Sequence, residues 1–192
     1  MKAQTGEARA FPVYGFLSVL ERVTARRPEG GWMSEAGDKK GATRPEILPD
    51  TDAGYAGDVT PVEAWRVLTE NPRALLIDVR TRAEWTFVGL TDLAHLGKQP
   101  VLIEWVSQPD MARNPEFESH AAEAISEAGG EAPVFFLCRS GARSKAAAIA
   151  MTERGFGPCY NVESGFEGDL DDGRHRGRRN GWKVAGLPWV QS

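Results

Sequence analysis

One seven-residue segment concentrates the residue types that nucleophilic chemistry requires. Cys138 follows an apolar run and is succeeded by Arg139, Ser140, Gly141, Ala142, Arg143 and Ser144. A helix that starts directly after this turn would aim main-chain N–H groups and the positive end of its dipole at the sulfur. The two arginines add formal positive charge, and together these features favour the thiolate form of Cys138. We therefore predict an activated nucleophile, and we regard an inert core thiol as the weaker interpretation because it leaves the surrounding pattern unexplained.

The elements that must position this segment can be predicted from apolar patterning. Thr60, Pro61 and Glu63 form the pattern of a capping box at a helix start, and order is expected to begin there. Alternating strands and helices indicate an α/β fold with a mostly parallel sheet, in which ligands bind beyond the carboxyl ends of the strands. The predicted strands are 74–79, 101–106, 133–137 and 160–162, and the predicted helices are 61–70, a short one within 80–85, 115–128 and 142–154.

The segment 138–144 resembles the active-site loop of rhodanese-like sulfurtransferases. Asp78, Arg80 and Glu84, with the aromatic Trp85, resemble a second signature of that family. The chain departs from the family pattern at 87–93, so no role is carried over to those residues. Weaker resemblances occur at 155–156, 160–162, 165–166, 181–182 and 186–188, and the whole match covers most of 58–192. The resemblance implies a rhodanese-like three-layer fold with helices on both faces of a mostly parallel sheet.

The family resemblance also implies a mechanism, in which sulfur from a donor such as thiosulfate is held as a Cys138 persulfide and passed to an acceptor. The expected partners are a small anionic sulfur donor and a thiol or protein acceptor, and no cofactor or metal is implied. Amides of 139–144 would stabilise anionic sulfur, while Arg143 and Arg139 would attract the donor. We expect Glu84 to orient Arg143 or Arg80. Two supporting roles stay open: Asp78 either serves the site or braces the loop, and Trp182 either walls the site or anchors the C-terminal tail.

Loop length separates sulfur transfer from phosphate chemistry. Tyrosine and dual-specificity phosphatases place arginine six positions after the cysteine, whereas here Arg143 stands at five and Ser144 at six. A phosphatase or an arsenate reductase is therefore a minor alternative. The stronger alternative is a relay module that receives persulfide from one partner and turns over free thiosulfate slowly.

Bulk composition limits the remaining classes. The chain has 192 residues, net charge −4 and two cysteines, which suits one domain in a reducing, cytoplasmic compartment and favours no nucleic-acid or membrane partner. Residues 1–57 are interpreted as a poorly ordered leader and linker, 1–32 as an overlong start or a dispensable extension, and 58–192 as the domain.

Cys159 lies at the start of one predicted parallel strand, whereas Cys138 follows the end of another. About 16 Å should therefore separate the two cysteines, too far for a disulfide. His95, His120 and His175 lack metal-ligand spacing, and the arginines of 174–179 are interpreted as a solvated loop balanced by aspartates.

Overall fold

A computed structural model describes residues 53–191 of the chain. The predictions for residues 1–52, including the leader and the overlong start, lie outside the described residues. Within 53–191 the longest helix has 12 residues, and no helix has both the length and the apolar character needed to cross a bilayer.

Five parallel strands form the central sheet of the described chain. Their spatial order is β1-β8-β7-β2-β4, and every neighbouring pair is parallel. The other strands form two small antiparallel pairs, β3 with β9 and β5 with β6. The strands are β1 Gly57–Val59, β2 Leu75–Asp78, β3 Leu90–Thr91, β4 Val101–Leu102, β5 Val106–Ser107, β6 Ala112–Arg113, β7 Val134–Leu137, β8 Cys159–Val162 and β9 Trp189–Val190. The helices are α1 Pro61–Glu70, α2 Arg82–Val88, α3 Phe117–Glu127 and α4 Ala142–Glu153, with a 3-10 turn at Ala94–Leu96.

The central strand β7 shows how the layers are built. All four of its residues are buried, and successive side chains point to opposite faces of the sheet. Val134 and Phe136 belong to a core cluster with residues of α3 and α4. Phe135 and Leu137 belong to a second cluster with residues of α1 and the C-terminal tail. The predicted α/β fold, a parallel sheet covered on both faces, is confirmed.

The capping box predicted for the start of α1 is present. Thr60 Oγ1 accepts a hydrogen bond from the Glu63 amide at 3.2 Å, and a Glu63 carboxylate oxygen accepts from the Thr60 amide at 2.8 Å. An equivalent box joins Thr81 and Glu84 at the start of α2. These reciprocal bonds satisfy amides that have no partner within the helix, so α1 and α2 each begin at a defined residue.

The predicted strand 101–106 and the expected start of order at Thr60 were both wrong. The run 101–106 is not one strand, because β2 ends at Asp78 and gives β4 a ladder of only two residues. At the end of the run, Val106–Ser107 pairs instead with Ala112–Arg113 in a hairpin. Order also begins before Thr60, since β1 starts at Gly57 and the side chain of Tyr55 is buried. Strands this short carry no measurable periodicity, so the sequence pattern did not reveal them.

Candidate active site

Cys138 lies directly after β7 and its side chain is 1% exposed. Its Sγ accepts hydrogen bonds from the Gly141 amide at 3.1 Å and from the Ser144 hydroxyl at 3.2 Å. Gly141 adopts φ +100°, which glycine allows at little cost, and α4 begins at the next residue. The strand, turn and helix predicted around the cysteine are therefore present, with hydrogen-bond donors aimed at the sulfur.

A second segment holds the cysteine loop from the other side. The amide of Phe166 donates to the carbonyl of Cys138 at 2.8 Å, and the amides of Glu167 and Gly168 donate to the carbonyl of Arg139 at 3.0 and 3.2 Å. Gly165 makes this approach possible, because a Cβ at that position would lie 2.3 Å from the Cys138 carbonyl oxygen. The loop backbone is thus fixed by bonds to a segment that follows β8.

Arg143 and Glu84 form a two-pronged ion pair beside the cysteine. Arg143 Nη1 and Nη2 donate to the two carboxylate oxygens of Glu84 at 2.7 and 2.6 Å, and both side chains are 18% exposed. The pair joins the first turn of α4 to the first turn of α2. Of the two partners expected for Glu84, Arg143 is the one it contacts.

The protonation of Glu84 reflects these contacts. Burial by itself would raise the pKa of this carboxyl, but hydrogen bonds from Arg143 and the Thr81 amide outweigh burial and lower the pKa to about 2. The Glu84 carboxylate is therefore ionised at neutral pH.

Replacing Glu84 by Gln should give a stability loss that depends on pH. The folded pKa lies below the ordinary value of 4.5, so the ionised carboxylate stabilises the fold above pH 4.5, and this stabilisation is lost as pH falls toward about 2. We expect Glu84→Gln to lower the free energy of unfolding by about 1.5–3 kcal/mol at pH 7, the size of a hydrogen bond to a charged group. Urea unfolding of both proteins from pH 7 to pH 2.5 measures the difference. If the difference in free energy of unfolding between the two proteins does not shrink on acidification, the lowered pKa of Glu84 is contradicted.

Asp78 and Arg80 form a fully buried ion pair next to the loop rather than part of the cavity lining. Arg80 Nε lies 3.0 Å and Nη2 2.6 Å from Asp78 carboxylate oxygens, and both residues are 0% exposed. Nη2 also donates to the Gly89 carbonyl, and the guanidinium lies 4.0 Å from the centre of the Phe166 ring. Phe166 in turn binds the Cys138 carbonyl, so the contacts of Asp78 correspond to the bracing role.

The cysteine loop forms one side of a cavity of about 530 Å³. Cys138, Arg139, Ser140, Ala142 and Arg143 line it together with residues of α2 and of the β5–β6 hairpin. Arg139 and Ala142 are exposed, while Ser140 is half-buried. The additional lining residues, which the sequence did not point to, are Thr81, Ala83, Val88, Gln108 and Met111. Of these only Thr81 carried a local signal, the capping pattern it forms with Glu84.

Trp182 and Cys159 lie away from this cavity. Trp182 is fully buried against Trp65 and its indole N–H donates to the Pro188 carbonyl, so it anchors the tail. Of the two roles that the sequence left open for Trp182, the structure shows the anchoring of the tail, which folds back onto α1. Cys159 pairs in register with Val134 at the start of β7, whereas Cys138 follows the end of that strand. Burial raises the pKa of the Cys159 thiol to about 12, which makes it a poor nucleophile.

The histidines and the arginine-rich tail make local contacts. His95 packs against Trp65, and His175 lies 3.5 Å from Asp171. Among residues 53–191 no group of three His, Cys, Asp or Glu side chains is placed to hold a metal ion. Arg178 and Arg179 approach Asp171 and Asp172, as expected for a charged loop balanced by aspartates.

Comparison with known proteins agrees with this geometry. The sequence model of the rhodanese-like domain matches residues 60–171. A crystal structure of Rv0390 from M. tuberculosis is 49% identical with a TM-score of 0.66, and the match covers 72% of this chain and 99% of that one. The uncharacterized RP600 homolog of Rickettsia rickettsii is 37% identical over 132 residues, which cover 69% of this chain and 95% of that protein. The uncharacterized protein RC0915 of Rickettsia conorii is 36% identical over the same shares.

Proposed function

The chain belongs to the rhodanese-like domain family, and from this membership and the site geometry we propose a sulfurtransferase that carries sulfane sulfur on Cys138. The observation that carries the proposal is the position of Sγ, which borders a cavity and accepts hydrogen bonds from the Gly141 amide and the Ser144 hydroxyl. Donors placed in this way stabilise a thiolate, the form of cysteine that attacks sulfur.

The proposed reaction has two half-reactions. The Cys138 thiolate attacks the outer sulfur of thiosulfate, a new S–S bond forms, and the S–S bond of the donor breaks with its electron pair leaving on sulfite. The enzyme then holds a persulfide anion, whose terminal sulfur extends about 2 Å beyond Sγ. Attack by cyanide or a thiolate on that terminal sulfur releases the product and restores the Cys138 thiolate, a ping-pong sequence.

The surrounding residues have distinct parts in this proposal. Arg139 is exposed at the cavity and is suited to attract an anionic donor. Arg143 brings a second positive charge whose direction is held by its two hydrogen bonds to Glu84. Ser144 is 0% exposed, and its hydroxyl can donate either to Sγ or to the Gly141 carbonyl at 3.0 Å. The Ser144 hydroxyl can therefore donate to Sγ when Sγ is a thiolate and to the Gly141 carbonyl when the charge has moved to the terminal sulfur of the persulfide.

Steady-state turnover distinguishes this enzyme from the relay alternative. With thiosulfate and cyanide we expect continuous release of sulfite and thiocyanate, many equivalents per protein molecule. A colorimetric thiocyanate assay measures the rate. A single equivalent of sulfite without further turnover would instead favour a module that exchanges persulfide with one protein partner.

The phosphatase alternative predicts hydrolysis of p-nitrophenyl phosphate, which we do not expect because Arg143 stands one position too early in the loop.

A further inference from the structure

The cavity over Cys138 is larger and more apolar than thiosulfate requires. We propose that it selects an organic sulfane-sulfur donor, a monoanion that carries an apolar group, and that Met111 on the β5–β6 hairpin provides the wall for that group. This inference rests on the proposed function, since it names the substrate class of the same site.

The size of the cavity is the first support. Its volume of about 530 Å³ falls within the range of about 300–1,000 Å³ typical of sites for organic ligands. One water accounts for about 30 Å³ of liquid, so the space would hold about 18 waters. Thiosulfate has only a few atoms and would leave most of this space to solvent.

The lining of the cavity is the second support. Ala83, Val88, Met111 and Ala142 place apolar side chains around the same space that Cys138 borders. Met111 is 46% exposed, so part of its side chain is free to be covered by a ligand. Burying apolar surface contributes about 25 cal/mol per Å², and an inorganic anion has no apolar surface to bury against these side chains.

The charges of the lining are the third support. Arg139 and Arg143 bring two positive charges, and Glu84 removes one of them through its ion pair with Arg143. The attacking Cys138 thiolate offsets the other positive charge, so the charges of the lining are balanced when the donor arrives. A monoanionic donor is repelled less by that thiolate than the dianion thiosulfate is.

The hairpin that carries Met111 is held in place before any ligand binds. The Arg113 guanidinium stacks 3.4 Å from the centre of the Trp105 ring and forms an ion pair with Glu118 of α3. The Asn114 side-chain amide donates to the Glu104 carbonyl at 2.9 Å, which ties the hairpin base together. A wall that is already ordered loses little conformational entropy when a ligand contacts it.

A thiosulfonate has the chemistry that this site would select. The Cys138 thiolate attacks its outer sulfur and a new S–S bond forms. The donor's S–S bond breaks with its electron pair remaining on the departing sulfinate. One anion attacks another, and a persulfide anion and a sulfinate anion result, so charge and electrons balance without any further reagent.

The test compares benzenethiosulfonate with thiosulfate as donor, with cyanide as acceptor and thiocyanate release as readout. The quantity of interest is kcat/KM for benzenethiosulfonate divided by kcat/KM for thiosulfate. The intrinsic reactivity of each donor cancels when this ratio is compared between variant and wild type. Met111 has φ +57°, a conformation that asparagine tolerates well. We expect Met111→Asn to lower the ratio about tenfold, the effect of a lost apolar contact on specificity.

Two control variants define the outcome. Met111→Leu keeps an apolar side chain and should retain the ratio. Leu170→Asn removes another exposed apolar side chain, at 41% exposure and outside the cavity lining, and should also retain it. An unchanged ratio in folded Met111→Asn overturns the selectivity while the sulfurtransferase proposal stands. If neither donor places sulfur on Cys138, both proposals fail together.

Discussion

Thiosulfate treatment of the purified protein should add one sulfur atom to Cys138, and this gain should be absent from Cys138→Ser. The serine hydroxyl cannot form a persulfide. Loss of the attacking residue typically lowers turnover by a factor of a thousand or more. Intact mass spectrometry before and after reduction measures the gain, and peptide mapping locates it. Thiocyanate release by Cys138→Ser should fall at least about a thousandfold.

Cys159→Ser provides the matched control, because it removes the other thiol of the chain. The Cys159 thiol is buried, its pKa is raised to about 12 by burial, and it lies at the opposite end of β7 from Cys138. This variant should gain the sulfur and turn over like the wild type. Sulfur mapped to Cys159, or gained equally by Cys138→Ser, would show that the nucleophile has been wrongly assigned.

Arg80→Met should destabilise the fold more than Glu84→Gln does. It leaves the Asp78 carboxylate buried at 0% exposure without its guanidinium partner, and breaking a buried pair in this way costs about 3–5 kcal/mol. It also removes the cation stacked on Phe166, whose amide holds the Cys138 carbonyl. Urea unfolding at neutral pH measures the loss. If Arg80→Met does not fold, Arg80→Lys should fold with an intermediate loss, since it keeps the charge without the forked geometry.

An exposed pair on α1 supplies the comparison for this experiment. Arg66 and Glu70 are 2.8 Å apart, with side chains 30% and 43% exposed. Solvent screens such pairs, so Arg66→Met should cost about 0.5 kcal/mol or less. Equal losses for Arg66→Met and Arg80→Met would mean that the Asp78–Arg80 pair does not brace the fold.

The order of the main helices and strands could be predicted because it depends on neighbouring residues. The capping box of Thr60 and Glu63 defines the start of α1, and the apolar run before Cys138 forms a buried strand followed by a helix. The run 101–106 has the same apolar character, yet it splits where its neighbour β2 ends. Local pattern indicates the tendency to form a strand, whereas the ladder partner decides its length.

The candidate site shows the same difference between local sequence and tertiary contacts. The sequence alone determined the cysteine loop: the nucleophile, the glycine that permits the turn and the hydroxyl of Ser144 all lie within seven residues. The tertiary structure decided which groups meet that loop. Glu84 reaches Arg143 across 59 positions, Met111 arrives on a hairpin, and Trp182 folds into the core. The reason is physical: turns and helix starts depend on bonds between near neighbours, while contacts across long stretches of chain exist only once the whole sheet has packed.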